Sequence, residues 1–85
     1  MNLNDTVALM KSDYYKDRFA AEYYQLAIRY KKLKAMLDSW DAGTLEFTPT
    51  CPRSTYNIQI QAMVEYLAAL EARAVMENIS LADVG

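Results

Sequence analysis

Two short stretches of the chain hold most of the side chains that could do chemistry. The first is Thr48-Pro49-Thr50-Cys51-Pro52-Arg53-Ser54. Hydroxyls, one arginine and the free N–H groups of a helix start converge there, a combination that favours a phosphate. The second is Asp13-Tyr14-Tyr15-Lys16-Asp17-Arg18, followed by Tyr23-Tyr24 and Arg29-Tyr30-Lys31. Aromatic rings interleaved with cations can stack a base and neutralise its phosphate. The ligand-binding residues expected from these stretches are Tyr15, Lys16, Arg18, Thr48, Thr50, Arg53 and Ser54. Each stretch also has a plainer reading. The first is then ordinary helix capping with a surface arginine, and the second a solvated helix face.

Catalysis has little to work with. The chain has no histidine, so Ser-His and Cys-His pairs are excluded, as is most zinc chemistry. Cys51 lies near a helix start, which can activate a thiol. It lacks a basic partner and reads as a loop anchor. Asp38 and Asp41 are three residues apart with no further ligand beside them, which makes a poor metal site. With Gly43 and Gly85 as the only glycines, no glycine-rich phosphate loop exists. The expectation is a non-enzymatic protein with no catalytic residue, no metal and no cofactor.

Net charge is −2, but it is unevenly placed. Residues 11–34 carry seven Lys or Arg against three acids, a local +4, while the remainder carries two arginines against eight acids, or −6. This pattern suits a site for a small anion and counts against nucleic acid as a partner. A single cysteine excludes an internal disulfide and suggests a reducing compartment. No apolar run approaches the roughly 20 residues of a membrane span, and MNLNDTVALM lacks the marks of a signal peptide. The location expected is cytoplasmic, with no membrane partner.

The elements that must position these residues are helices. Phe19, Tyr23, Leu26, Tyr30, Leu33, Leu37 and Trp40 are spaced 4, 3, 4, 3, 4, 3, the seam of a packed helix. A long helix is expected over 13–41, ended by Gly43. Tyr56, Ile60, Met63, Leu67, Leu70 and Ala74 repeat the pattern, predicting a second long helix over 53–77 that starts at Pro52 or Arg53, with Thr50 or Ser54 as its cap. Residues 43–55, rich in Pro and Thr, form the turn, with Leu45 and Phe47 folding back onto the hairpin end. Leu3, Val7, Met10 and Tyr14 mark a short lead-in helix over 1–11 capped by Asn4 or Asp5, then a break at Ser12-Asp13. Residues 78–85 read as a tail. The fold class is therefore all-α: a single domain, an antiparallel helical hairpin with a short N-terminal helix.

Apolar residues remain once the seam is filled. Tyr24 and Ile28 lie off it on the first long helix; Ala62, Tyr66, Ala69 and Met76 form a second line on the other, flanked by Val64 and Val75. Either the lead-in covers one of these faces or the chain self-associates into an oligomeric bundle. A homo-oligomer is expected, because two turns of lead-in are too short to cover both helices.

The run DYYKDRFAAEYYQLAIRYKKLKAML, then FTPTCP, then QIQAMVEYLAALEARA resembles short helical-hairpin proteins of tailed phages and prophages, crAss-like phages included, over about residues 12–77. The pattern QxxAMxxYLxxLExR is its more specific part. The plan of two helices around a proline-containing turn is similar, more loosely, to phage anti-CBASS and anti-Thoeris sponge hairpins. Those oligomerise and sequester cyclic nucleotide or ADP-ribose-type immune signals without cutting them. The resemblance implies a functional class and no individual ligand residue: an anti-defence protein of an infected or lysogenic bacterial host that sequesters a small phosphorylated nucleotide. The alternative is a protein-binding module that inhibits a host defence protein or serves as a small phage assembly factor.

Overall fold

The structure, a computed structural model, describes residues 1–85. A 3₁₀ turn, Leu3–Thr6, runs into one α-turn, α1 (Val7–Met10); two long helices follow, α2 (Tyr15–Asp41) and α3 (Arg53–Met76). α2 and α3 lie antiparallel, with Trp40 against Tyr56 at the turn end and Tyr15 beside Arg73 at the base. The molecule measures 43 × 24 × 19 Å, its long axis set by the roughly 40 Å of α2. It is the all-α antiparallel hairpin with a short N-terminal helix that the two seams predict.

Each helix end has a local cause. Asn2, rather than Asn4 or Asp5, caps the first turn: its side chain accepts from the Asp5 N–H while the Asp5 carboxylate accepts from the Asn2 N–H. The chain then breaks as expected, but α2 begins at Tyr15, so Asp17 and not Asp13 lies in its first turn. Ser12 organises the break. Its hydroxyl accepts from the Tyr14 N–H and donates to Asp17, and its carbonyl accepts from Arg18. Gly43 ends α2 at φ +74°, where a Cβ would be strained, and the N–H groups of Gly43 and Thr44 close back onto the carbonyls of Trp40 and Ser39. Asn78 does the same for α3 at φ +56°, with the Ile79 N–H on the Ala74 carbonyl. Pro52 occupies the position before α3 and has no side chain to cap with, so neither Thr50 nor Ser54 fulfils that expectation.

The core sits at the base of the hairpin. Phe19, Leu70 and Ala74 form one buried group between α2 and α3; Ala20, Tyr24, Ala27, Ile28 and Val84 form another on the flank of α2, with Leu3, Leu9 and Leu81 packed on it. The off-seam Tyr24 and Ile28 are thus accounted for. They are covered by the lead-in together with residues 79–84, which lie along α2 instead of trailing away. The Tyr24 hydroxyl accepts the Ala82 N–H at 3.0 Å, and Lys31 reaches Asp83 and the Gly85 carbonyl. Thr6 is wholly buried, its hydroxyl donating to the Leu3 carbonyl and accepting from Gln25. Tyr24→Phe removes the acceptor that pins the C-terminal segment. The expected loss is about 1 kcal/mol in chemical denaturation, with faster hydrogen exchange at the Ala82 amide.

Candidate functional site

At the turn, the Schellman ending of α2 throws the chain sideways. Leu45, Phe47 and Pro49 then come back over Trp40 and leave a shallow hollow of about 230 Å³ lined by Trp40, Gly43, Leu45, Phe47, Thr48 and Pro49. Leu45 is half-buried there as expected, but Phe47 stays 58% exposed and forms an open aromatic wall. Trp40 forms the other wall. One edge of its indole meets Tyr56 at 5.9 Å and 77°, and the Arg53 guanidinium lies 5.5 Å from its ring centre.

Arg53 is held in place over the ring of Trp40, one of the residues that line this hollow. Its two terminal nitrogens fork onto the two oxygens of Asp41, and its Nε donates to Asn57 at 3.0 Å. Three of its five N–H donors are used and two remain. The pair joins the last residue of α2 to the first of α3, bracing the turn. Hydrogen bonding from Arg53 holds the Asp41 carboxyl below the ordinary carboxylate range. Thr48 lines the hollow; Thr50 and Ser54, next in the chain to Pro49 and Arg53, are exposed. With no side-chain cap on α3, the helix presents its first N–H groups at this end.

The other expected site residues are at the opposite end. The Tyr15 hydroxyl accepts from Arg73, whose guanidinium lies 4.7 Å over the buried Phe19 ring and whose Nε donates to Glu77. Arg18 is engaged with the Ser12 carbonyl, and Lys16 is exposed. A single chain therefore does not bring Tyr15, Lys16 and Arg18 to Thr48, Thr50, Arg53 and Ser54. Sequence spacing missed the two aromatic walls. By spacing Trp40 belongs to the seam, and by composition Phe47 is an anchor of the turn. Asp41 was also missed as the partner of Arg53, although an acid ending one helix twelve residues before an arginine opening the next is a visible signal. Tyr66 donates to the Glu22 carboxylate, and Tyr23 to Glu71 at 3.0 Å; burial first, then Glu71, raises the Tyr23 phenol.

A protein-family model described as Sequestin matches residues 13–76, about three quarters of the chain, spanning α2, the turn and α3. The chain belongs to that family, whose name denotes sequestering, a binding role. No curated protein and no solved structure matches it.

The Asp41–Arg53 pair has a defined pH signature. A carboxyl lowered in the folded chain contributes stability above its unfolded value of about 3.9, and loses it as pH falls through the lower folded value. An NMR titration should find Asp41 below the usual range in the wild type and back within it in Arg53→Gln.

Proposed function

We propose that this Sequestin chain binds a small phosphorylated nucleotide, a cyclic immune signal of a phage-infected bacterium, and holds it without converting it. It would then be a phage-encoded anti-defence sponge acting in the host cytoplasm. The observation that carries the reading is the hollow at the turn, where aromatic walls stand next to an arginine, hydroxyls and an uncapped helix start. A base stacked on such a wall gains about 1–3 kcal/mol. The phosphate takes the two spare N–H groups of Arg53, the hydroxyls of Thr48, Thr50 and Ser54, and the first amides of α3. These groups offer stacking and anion pairing, which is retention rather than turnover.

The size of the hollow supports a shared site. Ligand pockets usually span about 300–1,000 Å³, and about 230 Å³ accommodates a base with the rest of a nucleotide outside. In a homo-oligomer, Tyr15, Lys16 and Arg18 of another copy would close over the exposed part. Calorimetry against cyclic dinucleotides, cyclic trinucleotides and cyclic ADP-ribose isomers tests the reading. One class should bind at tens of micromolar or tighter, and Arg53→Ala and Phe47→Ala should each weaken it about tenfold. No heat with any member of the panel contradicts the proposal.

A second reading, a module that docks a host defence protein or a phage assembly partner, is favoured by the exposed line of Ala62, Tyr66, Ala69 and Met76 on α3. A stoichiometric protein recovered from host lysate by the wild type, and lost with Tyr66→Asp, would support it over the first.

A further inference from the structure

α3 has one covered face and one bare one. Only Leu70 and Ala74 of its 24 residues are buried. Ile58 is 74% exposed, Met76 78% and Val75 79%, with Ala62, Ala68, Ala69 and Ala72 also exposed. α3 carries four charged residues (Arg53, Glu65, Glu71, Arg73), whereas α2 carries ten, so the outward side of α2 is dressed for water and that of α3 is not. The accessible surface is 5811 Å². A folded monomer of 9.7 kDa has about 5,100 Å². The excess of about 700 Å² is close to the roughly 800 Å² that each partner contributes to a standard interface. The radius of gyration, 14.9 Å, likewise exceeds the about 12 Å of a compact chain of this length.

We infer that the outward face of α3 packs antiparallel against the same face of a second copy of this chain. The register follows from the residues. Ile58 and Met76 are 18 residues apart, about five helical turns, and so lie on one line. With the two-fold axis level with Leu67, Ile58 meets the partner's Met76, Ala62 meets the partner's Ala72 and Glu65 meets the partner's Ala69. Bulky side chains then close each end, and alanines in the middle let the axes approach to about 8 Å. Glu65 is the one charge on this line. It accepts from Gln61 at 3.3 Å and has no cation in its own chain. In this register the partner's Arg73 stands one turn along from it.

The inference also deepens the sponge reading and in that part rests on it. An antiparallel pair sets the Thr50–Arg53 end of each chain at the same end as Tyr15, Lys16 and Arg18 of its neighbour. The dimer then holds two complete sets of the expected residues, one at each end.

Light scattering on the full chain should give twice 9.7 kDa, and Ala69→Glu, a change at an exposed position, should return it to the single-chain mass with its helical circular dichroism unchanged. Register is read by oxidation in a Cys51→Ser background. Ile58→Cys with Met76→Cys should form a covalent dimer, while Ile58→Cys alone should not, because its two copies lie about 27 Å apart along the axis. A single-chain mass for the wild type, leaving this face to a partner of another kind, overturns the inference, as does cross-linking by Ile58→Cys alone. The outcome is separable from the sponge reading. A dimer giving no heat with the nucleotide panel keeps the interface and sinks the sponge, whereas a monomer that binds a nucleotide does the reverse.

Discussion

A pair of helices can bury only the stripes along which they touch, and the disposal of the apolar surface left over shapes the rest of this molecule. At the base, the lead-in and residues 79–84 provide a third layer over Ala20, Tyr24, Ala27 and Ile28, and this is where the buried residues concentrate. Toward the turn no third layer exists. There Leu37 alone is buried, and Leu33, Met36, Ile60 and Met63 remain half-buried. The hairpin is consequently firm at one end and open at the other, and the open end carries the aromatic hollow.

That gradient gives the Asp41–Arg53 pair its importance. Where packing is thin, the approach of α2 to α3 depends on a few directed contacts: the forked ion pair, the edge-on stacking of Trp40 and Tyr56, and the glycine ending of α2. These same groups frame the hollow. Structure and candidate function thus share residues. An anion taking the two spare N–H groups of Arg53 would sit beside the carboxylate that braces the turn, and leave that brace in place. The match of the Sequestin family to residues 13–76 covers this hairpin and its turn and excludes the covering segments at either end.

Much of the fold was legible because the strongest signal, the 4, 3 spacing of Phe19 to Trp40 and of Tyr56 to Ala74, is a direct statement of which faces meet. The break near Ser12 and the stop at Gly43 were legible for the same kind of reason, since a short polar residue and a glycine act locally. The role of residues 79–84 was not. Ile79, Leu81 and Val84 have no helical period, and the course of that segment is set by partners distant in the chain: the Tyr24 hydroxyl on the Ala82 N–H, Lys31 on Asp83, and the flank of α2 that Val84 packs on. Spacing alone puts Tyr24 off the seam, although its environment is that of a core residue with a satisfied hydroxyl. The site was legible in kind but not in arrangement. Hydroxyls and Arg53 at the turn were evident from composition. Their aromatic neighbours depend on how the loop folds back, and the distance to Tyr15, Lys16 and Arg18 depends on the antiparallel geometry of the hairpin.

The proposed sponge retains a small phosphorylated molecule without chemistry. It is tested most directly by mixing the protein in slight excess with a cyclic nucleotide that it binds, filtering off the free fraction, then heat-denaturing the protein and chromatographing what is released. A sponge leaves the filtrate depleted of the nucleotide, and denaturation returns the full amount intact. A filtrate that keeps the nucleotide, or the release of a cleaved or linearised product, would contradict it.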